Sequence, residues 1–412
     1  MDEIRVAFLG LGARGAQCDD EKSLGLIGLT LALSKQFNIK VTAVSDAYQD
    51  RIELVQKKFA DRKLPIPFGT TDSKELFARE DVDAVVISAA WEAHVPLAIA
   101  AMKAGKIVAM EVGGAYSVQD CFDLVRVQEE TKVPFMFLEN CCFDKRELMV
   151  TKMVRQGLFG EISYCHGAYA HDLREEISGG LKNRHYRLRN YMIRNCENYP
   201  THELGPIAKI LNINRGNRML SLTAQASKAR GLNEYAKTKE EYKFLENVHF
   251  AQGDIVHTSI KCADGSLITL KLNTTLPTGY SREFTVNGTK GMYAENGDVV
   301  ILDGVEHGEW LNENYKNGAE FNKKYGSKMW NDITEEEKKL GHGGIDYFTF
   351  KAFYKALKNG EEMPIDVYDA ASWMCITALT EDSIAMGGAP VAIPDFTGGK
   401  WVMREPKDVC EL

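Results

Sequence analysis

The chain has 412 residues, of which 44% are apolar and 26% charged, and this composition is ordinary for a globular protein. The length exceeds that of one typical domain and predicts two, each able to bury a core of its own. A formal net charge of -8 and an isoelectric point of about 5.7 argue against binding to nucleic acid or to an anionic membrane, because such surfaces need clustered Lys and Arg.

Neither the start of the chain nor its cysteines indicate export. Met1-Asp2-Glu3 leads directly into an apolar run at Ile4, which leaves no room for a signal peptide, and no apolar run reaches membrane-spanning length. The nine cysteines include no Cys-x-x-Cys pair, and the nine histidines show no convincing metal-ligand spacing. We therefore expect a cytoplasmic protein without a metal site.

The N-terminal third predicts a dinucleotide-binding domain. A β-rich run over residues 4–9 is followed by Gly10-Leu11-Gly12-Ala13-Arg14-Gly15 and then by a helical pattern. The glycines of such a G-x-G-x-x-G motif allow a tight turn and let the backbone approach a pyrophosphate. A second strand, residues 41–45, ends at Asp46, whose carboxylate can accept hydrogen bonds from the adenosine ribose and would repel a 2′-phosphate. NAD is therefore favoured over NADP, although Asp46 could be a surface-turn residue, and the long spacing implies an insertion around residues 18–24.

Further β-α alternation extends a doubly wound parallel sheet over residues 1–140. Strands are predicted at residues 84–88, 107–110 and 135–138, and helices at 91–104 and 118–131. Ligands bind at the carboxyl ends of such strands. The polar side chains expected beside a nicotinamide and its substrate, each of which could instead be an ordinary loop residue, are Trp91, His94, Glu111, Glu139 and Asn140.

The pattern changes after residue 140. A helix at 145–157 leads into alternating strands joined by tight turns, predicted at residues 163–170, 220–227, 254–262, 267–273, 283–286 and 291–294. Helices at 347–357 and 368–386 close the fold, and the polar segments 232–245 and 311–339 are predicted surface excursions. The fold class is thus an α/β Rossmann domain, residues 1–140, followed by an α+β domain with an open, largely antiparallel sheet, residues 141–412.

The stretch Tyr199-Pro200-Thr201-His202 brings a phenol and an imidazole together within four residues. Two side chains able to transfer protons, next to a proline that fixes the backbone, suggest a catalytic corner. The alternative is a helix start, with Thr201 as N-cap of the apolar run 204–211. The residues alone leave both interpretations open.

Several longer motifs carry a resemblance that spans most of the chain. They are Trp91-Glu92-Ala93-His94, Glu111-Val112, Leu138-Glu139-Asn140, Gly167-Ala168-Tyr169-Ala170-His171-Asp172-Leu173-Arg174, Tyr199-Pro200-Thr201-His202-Glu203-Leu204-Gly205-Pro206, Leu211-Asn212-Ile213-Asn214-Arg215-Gly216, Tyr280-Ser281-Arg282 and Gly341-His342-Gly343-Gly344. With these motifs the chain resembles the Gfo/Idh/MocA oxidoreductase family, and within it the NAD-dependent glycoside hydrolase family 109. Sugar dehydrogenases of the wider family usually follow the strand-end glutamate with a lysine that assists proton removal. Here Val112 follows Glu111, as in the glycosidase branch, and valine cannot exchange a proton.

The resemblance implies a glycosidase that oxidises the sugar transiently at carbon 3, eliminates the aglycone, adds water and reduces the sugar again, without net redox change. It further implies that Tyr169 is the base at carbon 2, that His202, with Tyr199 beside it, serves the oxidised hydroxyl, and that Glu139 lies near the leaving group. It implies substrate binding by Tyr280 and by Arg187, for which Arg189 is a rival. The implied cofactor-binding residues are Gly10, Gly12, Arg14, Gly15, Asp46, Trp91, His94, Glu111, Val112 and Asn140.

The expected partners are a small glycoside or oligosaccharide and other copies of the same chain, in a dimer or tetramer. Two alternatives come from other functional classes. One is an NAD-dependent sugar or polyol dehydrogenase similar to inositol dehydrogenases, and the other is a non-catalytic NAD-linked sensor. The sugar, its anomer and the aglycone remain open.

Overall fold

The computed structural model describes residues 2–20, 22–305 and 316–412 of the protein. Two units make up the chain. The first comprises Met1–Val112, Gln119–Phe143 and Ile333–Ala371, and the second comprises Gly113–Val118, Asp144–Asp332 and Ser372–Leu412. The domain boundary predicted between residues 140 and 141 follows the order of the sequence and stays a prediction.

The first unit is built on a parallel sheet of six strands in the order β3-β2-β1-β4-β5-β6. The strands are β1 (Ile4–Leu9), β2 (Ile39–Ser45), β3 (Phe68–Thr70), β4 (Ala84–Ile87), β5 (Ile107–Met110) and β6 (Phe135–Phe137). The helices are α1 (Ala13–Ala16), α2 (Gly25–Phe37), α3 (Gln49–Asp61), α4 (Ser73–Phe77), α5 (Trp91–Lys103), α6 (Val118–Thr131), α14 (Glu335–Lys338), α15 (Ile345–Asn359) and the first residues of α16 (Val367–Ala385). This strand order is that of dinucleotide-binding sheets and confirms the predicted Rossmann domain.

The register of this sheet explains why the predicted polar residues meet at one edge. Leu9 pairs with Ile87, Ile87 with Met110, and Met110 with Phe137. The last residues of β1, β4, β5 and β6 therefore lie in one row across the sheet. Whatever follows them in sequence begins at the same edge, where parallel sheets bind their ligands.

The second unit contains a sheet of eight strands in the order β13-β12-β11-β7-β10-β9-β8-β14. The strands are β7 (Ile162–Ala170), β8 (Met219–Ala226), β9 (Ile255–Cys262), β10 (Leu267–Asn273), β11 (Thr285–Gly288), β12 (Gly291–Ala294), β13 (Val299–Leu302) and β14 (Val391–Ala392). β7 and β10 run parallel and the other paired strands run antiparallel, which confirms a largely antiparallel sheet.

The helices of the second unit lie mostly between these strands in sequence. They are α7 (Lys145–Arg155), α8 (Arg174–Ser178), α9 (Arg187–Ile193), α10 (Thr201–Ile210), α11 (Gly231–Ala236), α12 (Gly318–Tyr325), α13 (Lys328–Asn331) and most of α16. Of the predicted polar segment 311–339, residues 311–315 lie outside the described residues, and the rest contains α12 to α14. Within the described ranges, none of the helices combines the length and the apolarity that crossing a membrane would need.

Candidate active site

The loop after β1 contains glycines of two kinds. Gly10 has φ +89°, and a Cβ there would lie 2.5 Å from the backbone of Ser88, while a Cβ at Gly15 would lie 2.0 Å from the carbonyl oxygen of Gly10. At Gly12 the nearest atom to such a Cβ would be Nη1 of Arg51, at an ordinary contact distance of 3.5 Å. The fold itself thus requires two glycines but not the third. A glycine at position 12 fits a pyrophosphate that approaches the backbone closely.

The helix that follows this loop is interrupted after one turn. α1 ends at Ala16, Gln17 adopts a left-handed conformation, and α2 begins only at Gly25. The buried ammonium of Lys58 donates to the carbonyl oxygens of Ala16 and Gln17, each at 3.0 Å. Lys58 thereby satisfies carbonyls that a continuous helix would have bonded itself. The insertion predicted around residues 18–24 falls in this interruption.

Asp46 directly follows β2 and is buried. Its carboxylate accepts hydrogen bonds from the backbone N–H of Leu11, at 2.6 Å, and of Tyr48, at 3.0 Å, and the guanidinium of Arg51 lies 3.7 Å away. A carboxylate offers about four acceptor positions, so two backbone bonds leave capacity for ribose hydroxyls. The donor and acceptor set of the loop and Asp46 therefore fits the adenosine half of NAD.

Arg14 connects the glycine-rich loop to two carboxylates of the same unit. Its Nε donates to Glu111 at 3.1 Å, and Nη1 and Nη2 donate to Asp346 at 2.7 and 2.9 Å. Asn140 donates to the same Asp346 at 2.6 Å, and Nδ1 of His342 lies 2.8 Å from it. Burial alone would raise the pKa of Asp346, but the attraction and hydrogen bonds of Arg14 outweigh burial and hold that pKa well below its usual range. Sequence reasoning assigned no role to Asp346.

The other residues predicted to hold the cofactor are buried in the first unit. Trp91 is the first residue of α5, and His94 lies one turn later with its Nε2 2.9 Å from the carbonyl oxygen of Ala89. Burial lowers the pKa of His94 to about 4, so its imidazole is neutral at pH 7. Val112 is buried directly after Glu111, whose carboxylate accepts the hydrogen bond from Arg14.

Glu139 is the one predicted catalytic residue of the first unit. It follows β6 by two positions, is fully buried, and accepts a hydrogen bond from the backbone N–H of Cys141 at 3.0 Å. That bond fixes one carboxylate oxygen, and a carboxylate held in this way can give or take a proton at the other.

Tyr169, Tyr199 and His202 lie together in the second unit. Their ring centroids are 4.8 Å apart for the two tyrosines, 4.8 Å for Tyr199 and His202, and 5.5 Å for Tyr169 and His202. A Cβ at Gly167 would lie 2.7 Å from the Cβ of Glu203, so this glycine allows α10 to pack closely on β7. That close packing brings the three rings into contact.

The helix start at this site corrects the N-cap expected from the sequence, while the catalytic corner stays a prediction. A helix does begin here, but its N-cap is Pro200, which offers no capping side chain, and Thr201 is its first residue. Thr201 is therefore not the N-cap. Pro200 fixes the backbone between Tyr199, the last residue before the N-cap, and the first turn of α10, which contains His202.

His171 was missed as a site residue by the sequence analysis. Its Nδ1 lies 3.2 Å from the hydroxyl of Tyr169, and its ring meets that of Tyr280 edge to face at 5.1 Å. Burial and the nearby Arg187 lower the pKa of His171, which favours a neutral ring that can accept a hydrogen bond from the Tyr169 hydroxyl. The signal was present in the sequence, because residues two apart along a strand point to the same face and His171 follows Tyr169 by two.

Burial distinguishes the two arginines proposed for substrate binding, Arg187 and Arg189. Arg187 is buried, its guanidinium lies 5.0 Å from the centre of the Tyr199 ring, and its Nε is 2.8 Å from Glu176. Burial opposes its charge, but Glu176 and Tyr169 raise the pKa of Arg187 well above its usual value. Arg189 is exposed. Arg187 is thus the better candidate for substrate binding.

Tyr280 is held at the end of β7. Ser281 and Ala170 exchange backbone hydrogen bonds of 3.0 and 3.1 Å, which places Tyr280 close to the strand that carries Tyr169. Arg282 donates to the Tyr280 hydroxyl at 3.1 Å, and its guanidinium is buried against Glu147, at 2.6 Å. The Tyr280 side chain itself is 54% exposed, which leaves it open to a ligand.

Comparison with known proteins identifies the relatives of this chain. Residues 4–138 match the model of the oxidoreductase family with an NAD-binding Rossmann fold, and residues 143–403 match that of the glycosyl hydrolase 109 C-terminal domain. An alpha-N-acetylgalactosaminidase of Tannerella forsythia is 36% identical over 427 residues, covering 98% of this chain and 88% of the relative. A glycosyl hydrolase family 109 protein of Parabacteroides distasonis is also 36% identical, over 430 residues, covering 98% and 89%. A solved levoglucosan dehydrogenase with NADH and L-sorbose has a TM-score of 0.68 at 17% identity, covering 96% and 100%, a likeness that concerns the fold alone.

Proposed function

Because the chain belongs to the glycoside hydrolase 109 family, we propose that it cleaves glycosides with NAD through a transient oxidation at carbon 3 of the sugar. The observation that carries this mechanism is the contact of Tyr169, Tyr199 and His202 in one cluster of rings. When bound, NAD supplies reversible hydride transfer at carbon 3. The glycine-rich loop would hold its pyrophosphate, and Asp46 would hold its adenosine ribose.

The protons are moved by the protein's own side chains. His202 takes the proton of the hydroxyl on carbon 3 as that carbon is oxidised. The resulting ketone acidifies carbon 2, and Tyr169 removes that proton while the bond from carbon 1 to the aglycone oxygen breaks. Glu139 protonates the departing oxygen. Water then adds at carbon 1 as Glu139 accepts a proton from it, and Tyr169 returns its proton to carbon 2. His202 finally returns its proton to the oxygen on carbon 3 as that carbon is reduced again, so each side chain ends as it began.

The surroundings of Tyr169 suit a base. Proton removal needs a phenolate. The positive guanidinium of Arg187 and a negative phenolate at Tyr169 would attract each other, and this attraction contributes to the raised pKa of Arg187. His171, 3.2 Å from the hydroxyl, can accept a hydrogen bond from the phenol when its ring is neutral. Arg187 supplies the positive charge that a phenolate at Tyr169 would need.

The dehydrogenase alternative lacks its usual base. The residue after Glu111 is Val112, which is buried and has no group that titrates. Sugar dehydrogenases of the wider family usually carry a lysine at this point, which assists proton removal from the oxidised hydroxyl. The glycosidase scheme needs none there, since its proton transfers use Tyr169, His202 and Glu139.

The substrate class, the compartment and the oligomeric state are each proposed from one observation. The name of the Tannerella relative makes an N-acetylgalactosaminide the first substrate to test. The nine cysteines, all of which lie in the described part of the chain, form no disulfide, which supports a reducing compartment such as the cytoplasm. The half-exposed polar side chains His166, Thr269 and Lys271 on one face of the eight-stranded sheet support pairing of that face in a homo-oligomer, which light scattering during gel filtration would measure.

One experiment tests the mechanism. The purified protein is incubated with aryl glycosides in heavy water, while aglycone release, NADH absorbance and deuterium at carbon 2 of the product are followed. We expect release with deuterium incorporation and without net NADH. Steady NADH formation without release would instead indicate a dehydrogenase, and release without deuterium would exclude proton removal at carbon 2.

A further inference from the structure

The turn Gly341-His342-Gly343-Gly344 has an unusual backbone. All four residues have positive φ, at 68°, 41°, 69° and 105°. Glycine adopts such angles readily, but His342 does so only at a cost. A run of this kind persists where the surrounding structure determines it, and such runs concentrate at functional sites.

The turn surrounds one carboxylate. A Cβ at Gly341 would lie 2.3 Å from Oδ2 of Asp346, so the backbone passes directly over that oxygen. Nδ1 of His342 lies 2.8 Å from the same oxygen. Asp346 itself is in the first turn of α15 and is 1% exposed. The left-handed turn thus closes one side of the Asp346 site.

The other side of Asp346 reaches the ends of three strands. Arg14, in the loop after β1, donates two parallel hydrogen bonds to it and a third to Glu111, which follows β5. Asn140, which follows β6, donates to it as well. Two-fold arginine–carboxylate contacts are geometrically strict as well as strong. Asp346 therefore fixes Arg14 and Asn140 relative to each other.

We propose that Asp346 is a positioning residue for the dinucleotide, acting through Arg14 and Asn140; this inference rests on the proposed NAD-dependent function. The hydrogen-bonding nitrogens of Arg14 are directed to Asp346 and Glu111, so Arg14 braces the glycine-rich loop. The amide nitrogen of Asn140 points to Asp346, and its carbonyl oxygen accepts a weak hydrogen bond from the Cys141 thiol at 3.5 Å. An amide oxygen has two lone pairs, so one remains for a ligand donor such as a ribose hydroxyl or carboxamide N–H. A cofactor that must accept a hydride and return it in each turnover needs this orientation to be preset.

Asp346→Asn tests the proposal. The substitution keeps the size of the side chain but removes the charge that orients Arg14, and it lets the amide of Asn140 turn over. We expect the dissociation constant for NADH, measured by fluorescence titration, to rise about tenfold or more, because the charge-assisted hydrogen bonds that hold Arg14 and Asn140 in place are weakened. NAD retained through gel filtration should fall accordingly, and added NAD should restore glycosidase activity.

Asp369→Asn is the matched control. Asp369 is equally buried, also lies in the first turn of a helix, and belongs to the same unit. The Asp369→Asn substitution should lower the unfolding temperature without changing the dissociation constant for NADH. Gly341→Ala is a second variant on the exposed turn, and its methyl group, placed against the Asp346 carboxylate, should also weaken NADH binding.

The outcomes separate this inference from the proposed function. If the wild type binds NADH and both Asp346→Asn and Gly341→Ala bind it equally well, Asp346 does not position the cofactor. If Asp369→Asn weakens binding as much as Asp346→Asn does, the effect is general destabilisation and the inference is also wrong. If the wild type binds no NADH at all, the NAD-dependent function itself is refuted.

Discussion

Gly12→Ala should separate the needs of the fold from those of the cofactor. Gly12 has φ -71° and ψ -155°, an extended conformation open to any residue, and an added methyl group would contact only Arg51, at 3.5 Å. We therefore expect the free energy of unfolding to change by no more than about 0.5 kcal/mol. Gly15→Ala is the contrast, because its methyl group would overlap the carbonyl oxygen of Gly10 at 2.0 Å. Overpacking of that kind typically costs about 1–3 kcal/mol.

The expected effect of Gly12→Ala on NAD is large. A methyl group would occupy the space through which the pyrophosphate approaches the backbone of the loop. We expect the dissociation constant for NADH to rise at least tenfold, which corresponds to about 1.4 kcal/mol. Fluorescence titration measures the affinity and urea unfolding measures the stability, with both variants and the wild type in one buffer.

Two results would contradict this reasoning. NADH binding by Gly12→Ala at wild-type affinity would mean that the backbone at position 12 does not meet the pyrophosphate. A loss of stability in Gly12→Ala as great as that in Gly15→Ala would mean that the fold itself requires glycine at position 12, and the distinction between the two kinds of glycine would fail.

Three further predictions concern the second unit. Tyr169→Phe should abolish most deuterium incorporation at carbon 2, since the ring packs as before but lacks the hydroxyl, and an unchanged exchange rate would remove Tyr169 from its role. Arg187→Lys should lower kcat/KM about 10–100-fold, because lysine cannot reproduce a planar guanidinium stacked on a ring, whereas Arg189→Lys at an exposed position should leave it within about twofold. Burial raises the pKa of Glu197 to about 8, against a weaker opposing effect of the Tyr199 N–H, so the folded state binds more protons than the unfolded state between about pH 4 and 8. The contribution of Glu197 to the free energy of unfolding should therefore fall as pH rises through that range, by at most about 1.4 kcal/mol per pH unit, and urea unfolding of Glu197→Gln should give a flatter pH profile than that of the wild type.

Most of the parallel sheet could be predicted from sequence because most of its strands are apolar. β4, β5 and β6 are unbroken apolar runs between turn residues, and β1 is interrupted only by Arg5. β3 gave no such signal, since it is three residues long, includes Gly69 and has an exposed Phe68. β13 was missed as well, because its four residues follow a polar turn closely. Strand length and burial, more than residue type, decided what could be predicted.

In the first unit, the candidate site could be predicted where its residues come soon after strands. Asp46 and Glu111 directly follow β2 and β5, Asn140 comes three positions after β6, and the rule for parallel sheets indicates them without any knowledge of the structure. Asp346 is 332 residues from Arg14 and 206 from Asn140, at the start of a helix with no strand before it. Nothing in its local sequence distinguishes it from any other acidic residue in a first turn.

The glycine motif likewise predicts less about the ligand than its three positions suggest. Gly10 and Gly15 are needed because Ser88 and the loop's own carbonyl leave no room for a side chain, and any ligand-free copy of this turn would need them equally. Only Gly12 depends on what approaches from outside. A chain that keeps Gly10 and Gly15 but carries a side chain at position 12 should therefore retain this fold and lose the dinucleotide. A match to the whole motif is consequently stronger support for the turn between β1 and α1 than for NAD, and the support for NAD comes from Gly12 together with the Asp46 carboxylate.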